Sequence, residues 1–173
     1  IMCKNFELKN ITSNNINGNN ISLQFCNNAK LDNINIINSL SHDLSTGRGL
    51  GLSECENINI SNSIFSNIDN DVIYCESNCK NIFISNSKIV KTKGKDATVS
   101  ISLTQNSEVT LDKVSVFLNS KHPLYNGGNS QNCNLILNDC NIYTEDTFPT
   151  LVDVNAIRGF LVLSCKDAEY KYD

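Results

Sequence analysis

The stretch Asn57-Ile58-Asn59-Ile60-Ser61-Asn62-Ser63 decides the fold, because it recurs along the chain at near-constant spacing. Ungapped copies, Asn33-Ile34-Asn35-Ile36-Ile37-Asn38-Ser39 and Asn81-Ile82-Phe83-Ile84-Ser85-Asn86-Ser87, lie 24 residues before and after it. With the looser copies included, successive copies start 28, 24, 24, 27, 26 and 25 residues apart. Such self-similarity is typical of repeat architectures. The looser copies start at Asn5, Glu108, Asn134 and Gly159.

Each copy alternates apolar and polar residues, as a strand with one buried face does. A second short apolar stretch precedes each copy and a third follows it, as residues 50–52 and 64–65 do around the central copy. Three strands and three turns per repeat describe one coil of a β-helix, whose coils bury their apolar side chains only by stacking. We therefore predict an all-β fold: a right-handed, single-stranded parallel β-helix of about six to seven coils over residues 1–165, with a polar tail or cap at 166–173.

Asparagine is the most conspicuous component of the composition, with 29 copies in 173 residues. Asn tolerates a positive φ and hydrogen-bonds its own backbone, so it suits tight corners. Stacked coils would place equivalent asparagines about 4.8 Å apart, where their amides can bond along a column. The repeat alignment predicts one such column from Asn10, Asn38, Asn62 and Asn86, ending at Lys113 and Asp139.

Two other repeat-compatible folds fit less well. A two-sheet sandwich predicts strands every 8–12 residues or so but gives no reason for aligned asparagines at 24. A leucine-rich-repeat horseshoe has a similar period, yet its helical return stretch is hard to build from Asn and Ser.

Composition limits the classes of function. The net charge of -4 and pI near 5.1 argue against nucleic-acid binding, which needs a basic surface. No apolar run approaches the roughly 18 residues of a membrane span. Ile1 already lies in structured-looking sequence, so we expect the chain to be a fragment of a longer protein.

The segments Cys55–Ile64 and Cys79–Ile89 follow the pattern Cys/Asn-x-Asn-Ile-x-Ile-x-Asn-Ser-x-Ile, with one shift. This pattern resembles the right-handed parallel β-helix repeats of pectate lyases, polygalacturonases and phage tailspikes, from Cys3 to about Cys165. The resemblance implies a module that binds, and in an enzyme cleaves, an extracellular polysaccharide, at an extracellular, cell-surface or virion location. The alternative is a structural stalk or adhesin segment, which in the tailspike case would form a homotrimer.

The eight cysteines do not have the paired spacing of a zinc site. Cys3, Cys55 and Cys79 occupy the same repeat position, where a small apolar side chain fills a stacked core slot. We predict mostly buried thiols. A bridge between Cys55 and Cys79 stays open for an oxidising compartment.

Polar residues that the repeat does not explain collect in one turn of successive coils, and loops on a rigid stack often carry function. Hydrolysis of a glycosidic bond needs two carboxyls, and β-elimination of a uronate polymer needs a cationic base. No cofactor or protein-bound metal is predicted, although a lyase would use Ca²⁺ held by carboxylates. The Gly-His-Gly and Arg-x-Lys motifs of the polygalacturonases are missing, so no family catalytic residue is transferred. The candidates are Asp43, Asp69 and Asp71 for catalysis, and His42, Arg48, Lys93, Lys95 and His122 for substrate binding.

Overall fold

The structure is a computed structural model of the chain. It describes residues 3–42, 46–91, 93–95, 98–118, 123–126, 132–144, 165–166 and 169–172. For residues 126, 144, 165–166 and 169–172 it describes the backbone alone.

The described chain is an all-β parallel solenoid of about five turns with no helix, which confirms the predicted fold class with slightly fewer coils than the six to seven expected. Every described strand pair is parallel, and the described strands form three faces. Face A contains β1 (Lys4–Asn17), β3 (Asn27–Leu40), β5 (Glu56–Ser61), β8 (Lys80–Ser85), β11 (Glu108–Asp112), β14 (Asn134–Asn138) and β16 (Cys165–Lys166). Face B contains the second halves of β1 and β3, then β6 (Ile64–Ile68), β9 (Lys88–Lys91), β12 (Ser115–Leu118), β15 (Asn141–Thr144) and β17 (Glu169–Tyr172). Face C contains β2 (Ile21–Gln24), β4 (Leu50–Ser53), β7 (Ile73–Glu76), β10 (Ile101–Leu103) and β13 (Tyr125–Asn126).

Asparagines in the left-handed backbone region bend faces A and B and the corner between them. In β3, Asn28, Asn33 and Asn38 have φ of 57°, 55° and 57°. Each adds one outward residue to the alternation, so the strand bends and the next residue points inward again. Asn adopts this conformation more readily than other residues with a side chain, which explains its abundance.

The pairing of the second coil with the third differs from the sequence alignment. Ala29 lies opposite Ile58, so Asn28 and not Asn33 is the neighbour of Asn57. The two asparagines are 29 residues apart, against the 24 expected. Corner asparagines recur every five residues in β3, and Asn33 begins the segment whose letters best match the next copy. The sequence alignment therefore placed the second-coil copy one corner asparagine too late, at Asn33 instead of Asn28.

The asparagines do form hydrogen-bonded columns, although with different members. In one column Asn28 donates to Asn5 at 3.1 Å, Asn57 to Asn28 at 3.1 Å and Asn81 to Asn57 at 2.9 Å. A second column is the one predicted from Asn10, Asn38, Asn62 and Asn86, except that Asn33 takes the place of Asn38. Asn38 belongs to a third column. That third column is Asn15, Asn38 and Asn67.

Within the described residues, the buried apolar side chains other than Val99 form a single core. Ile34, Ile58 and Ile82 are all buried in it, although Ile34 occupies the register position of Ser63. The buried serines at this corner bond the backbone of the adjacent coil, since the Ile34 N–H donates to Ser63 Oγ at 3.1 Å and the Ser63 N–H to Ser87 Oγ at 3.1 Å. The hydroxyl groups of Ser63 and Ser87 thus have partners across the stack.

The cysteines fill a comparable column at the corner before face A. Cys3, Cys55 and Cys79 share one register position, as predicted, and Cys26, Ser107 and Cys133 belong to it as well. The described cysteines are in the thiol form, and all except the half-buried Cys3 are buried. The Cys55 thiol donates to the Ser53 carbonyl at 3.3 Å, and burial raises the pKa of Cys55 to about 11. These thiols therefore act as small core residues.

Within the described part of the chain, no helix has the length and apolarity that a membrane crossing requires.

Candidate functional site

Three of the polar turns lie within the described residues, between the ends of face B strands and the starts of face C strands. The Asp69 N–H donates to the Ser39 carbonyl at 2.9 Å, and the Lys95 N–H donates to the Asp69 carbonyl at 2.8 Å. The turns near residues 40, 70 and 95 therefore stack on one another. We call this surface, with the start of face C beside it, the turn flank.

The two described candidate carboxylates, Asp69 and Asp71, bond to opposite neighbouring coils. The Ser41 N–H of the preceding coil donates to Asp69 Oδ2 at 3.1 Å. The Val99 N–H of the following coil donates to Asp71 Oδ1 at 3.0 Å. Asn70, between them, is buried and donates to the Thr46 carbonyl at 2.9 Å. Each side chain thus links coils, whatever further role it has.

Asp71 is a carboxyl group whose pKa is raised above its ordinary value. Burial raises the pKa of Asp71, while the Val99 N–H, Arg48 and Lys91 lower it. A raised pKa is the direction that a carboxyl group acting as a general acid requires.

Lys91 is the buried cation of the turn flank, and it was not among the predicted site residues. Its side chain is fully buried, and Nζ donates to the carbonyls of Ile68 at 2.7 Å and Asn70 at 2.9 Å. Burial lowers the pKa of Lys91 to about 8, although Asp71 and Asp69 oppose the shift. Gly94, at φ 141°, passes so close that a Cβ there would lie 2.4 Å from Lys91 Nζ.

Arg48 lies over the ring of Tyr74 at the start of face C. The guanidinium carbon is 3.7 Å from the ring centroid, and both side chains are partly exposed. Gly51 is the register neighbour of Tyr74 in the preceding coil, so no side chain competes with Arg48 for that ring face. Among the described residues the guanidinium has no hydrogen-bond acceptor, and its buried Nε is unsatisfied.

His42, Lys93 and Lys95 are the other predicted binding residues that the structure describes. His42 is exposed, with Nε2 2.6 Å from the Asn17 amide nitrogen. Lys93 is exposed and Lys95 partly buried. Asp43 and His122 lie outside the described residues.

Sequence reasoning missed Tyr74 and Lys91, although each left a signal. Tyr74 is the outward residue between the inward Ile73 and Cys75, so an aromatic ring faces solvent there. Lys91 takes an inward position of β9, where the alternation calls for an apolar residue. A charge at an inward position is a sign of a buried polar site.

The arrangement as a whole offers a guanidinium over an aromatic ring, a carboxyl group with a raised pKa and a buried ammonium. In the described residues, His, Cys, Asp and Glu side chains form no group of three or more that could hold a metal ion. Comparisons with family models, curated proteins and solved structures find no match for this chain.

Proposed function

We propose that this chain is a binding module for an acidic polysaccharide and that the turn flank receives it. One observation carries the proposal: Arg48 lies over Tyr74 while its guanidinium lacks a hydrogen-bond acceptor among the described residues. A guanidinium presents a planar fork that fits a carboxylate in a bidentate manner. Stacking on the ring fixes that fork in advance, which reduces the entropy lost on binding.

The surface around Tyr74 suits a linear ligand. Its register neighbours on the outer side of face C are Ser22, Gly51 and Ser102, which are small or lack a side chain. They form a strip along the stack in which each coil adds about 4.8 Å. A uronate polymer lying on this strip would bring one carboxylate to Arg48 and a hydroxyl to the exposed Ser22, whereas Ser102 is buried.

Binding is tested by calorimetry with polygalacturonate and neutral dextran. We expect the wild-type chain to bind only the acidic polymer, and Arg48→Gln to weaken binding at least tenfold, since truncating one partner of a charge pair costs about 2 kcal/mol or more. Arg48→Lys keeps the charge without the fork and should recover only part of the affinity. Lys80→Gln removes an exposed cation from face A and is the matched control. Equal affinity of Arg48→Gln and wild type would contradict the proposal.

Cleavage would depend on Asp71, with Asp69 as the second carboxyl. The test measures reducing ends and unsaturated uronate released from the polymer that binds, with added Ca²⁺ and with a chelator. Loss of release in Asp71→Asn with binding retained would support catalysis. Binding without release of either product would restrict the function to recognition.

A structural stalk is the second candidate, and the asparagine columns favour it. Side-chain hydrogen bonds such as those joining Asn28, Asn57 and Asn81 stiffen a rod independently of any ligand. A chain that binds no polymer of an acidic and neutral panel, yet unfolds as a cooperative rod, would favour the stalk.

A further inference from the structure

A polar groove lies away from the turn flank, at the corner between faces A and B. It has a volume of about 460 Å³ and is open to solvent. Its polar lining includes Asn62, Asn86, Lys88, Lys113 and Ser115, and no carboxylate lines it. The groove therefore has cations, amides and a hydroxyl, which are donors for an anion.

Lys88 is held in place by an aromatic pair. Its Nζ lies 4.6 Å from the centroid of the Phe117 ring. Phe117 stacks on Tyr143 with centroids 4.5 Å apart and planes 12° from parallel. Within the described residues Lys88 has no ion-pair partner. Arg48 on Tyr74 has the same arrangement, in which a cation of one coil lies over an aromatic ring of the next.

Lys113 stands at a corner where the backbone favours asparagine. It follows Asn62 and Asn86 in the column, and its φ is 54°. Lysine is less suited than asparagine to this conformation, and strain of this kind concentrates at functional sites. Lys113 is exposed and has no ion-pair partner among the described residues, although Asp139 follows it in the column outside the groove lining. In the groove that Lys88 lines, Lys113 therefore places a cation at the corner position where the two preceding coils have an asparagine amide.

We infer that this groove is a second anion subsite, in which Lys88 and Lys113 bind a carboxylate or sulfate ester of the polysaccharide. The inference rests on the proposed function for its ligand, although its residues are separate from the turn flank. The two ammonium groups supply the charge, while Asn62, Asn86 and Ser115 supply neutral donors. A polymer that reaches both subsites gains affinity through the second, intramolecular contact.

The test is a double variant, Lys88→Gln with Lys113→Asn, titrated with polygalacturonate, dextran sulfate and neutral dextran. Lys113→Asn restores the residue that the corner favours, so the variant should fold. Lys30→Gln with Lys80→Gln removes two exposed lysines from face A and controls for net charge. We expect the double variant to lose at least tenfold in affinity for an acidic polymer, with a weaker salt dependence, and the control to lose less than threefold.

The outcomes separate the two proposals. Loss on polygalacturonate identifies a carboxylate as the anion, and loss confined to dextran sulfate identifies a sulfate ester. If Arg48→Gln weakens binding while the lysine pair has no effect, the second subsite is wrong and the turn flank stands. If the lysine pair matters while Arg48→Gln has no effect, the subsite stands and the flank proposal is wrong. Binding of no polymer by the wild type overturns both.

Discussion

Lys91 gives the turn flank a measurable pH dependence. Its pKa is about 8 in the folded chain, against 10.5 for an ordinary lysine. Below pH 8 both the folded and the unfolded chain hold the proton, so this group adds no slope. Between pH 8 and 10.5 the unfolded chain binds more protons, and the free energy of unfolding therefore rises with pH. The full difference amounts to about 3 kcal/mol.

The perturbation is Lys91→Met, which keeps the length of the buried side chain and removes the titrating group. Other groups act in the opposite direction, because burial raises the pKa values of Cys55 and Tyr74 and their contribution is lost as pH rises. The informative quantity is therefore the wild-type free energy of unfolding minus that of the variant. We expect this difference to increase by about 3 kcal/mol from pH 8 to pH 10.5.

Urea denaturation followed by far-ultraviolet circular dichroism, with a reductant present, measures both curves. At pH 7 the variant leaves the Ile68 and Asn70 carbonyls without the ammonium donor and should be less stable than Lys93→Met, which removes an exposed lysine of the same turn. A difference curve that stays flat between pH 8 and 10.5 would refute the burial of a charged Lys91.

Three further predictions test the stack. Asn57→Ala loses three side-chain hydrogen bonds and places Ala at φ 56°, so we expect the free energy of unfolding in urea to fall by about 2–3 kcal/mol. Asn59→Ala, on the exposed side of the same strand, should change stability by less than about 0.5 kcal/mol. Gly94→Ala should cost more than about 2 kcal/mol, because its Cβ would meet the buried ammonium nitrogen at 2.4 Å, whereas Gly51→Ala, with nothing nearer than 3.8 Å, should be close to neutral. Cys55 should resist alkylation at pH 8 until the chain is unfolded, as mass spectrometry of the labelled peptide would show.

The strands of each coil could be read from the sequence because their signals are local. The apolar stretches at residues 50–52 and 64–65 fall within β4 and β6. The alternation of apolar and polar residues and the corner asparagines each involve only a few neighbouring residues, so both are visible directly in the sequence. The register of the second coil could not be read in this way, because Asn28, Asn33 and Asn38 are all suitable corners. Only the packing of Ala29 under Ile58 distinguishes them.

The candidate site could be predicted in part for a similar reason. Arg48, Asp69 and Asp71 stand out as charged residues in turns. The stacking of Arg48 on Tyr74 joins two coils, and so do the backbone bonds of both aspartates. Contacts of this kind depend on the register, which the repeat alignment had placed one corner away. The contacts between coils at the candidate site could therefore be identified only from the structure.

The register of the stack, on which both proposed subsites depend, is tested most directly by disulfide trapping. Lys30 and Asn59 are outward register partners, about 4.8 Å apart and within the Cα range of a disulfide. Asn35, 24 residues before Asn59, instead lies opposite Ile64. Oxidation of the folded variants and peptide mapping should show a bridge in Lys30→Cys with Asn59→Cys and none in Asn35→Cys with Asn59→Cys. The reverse pattern would contradict the stack described above.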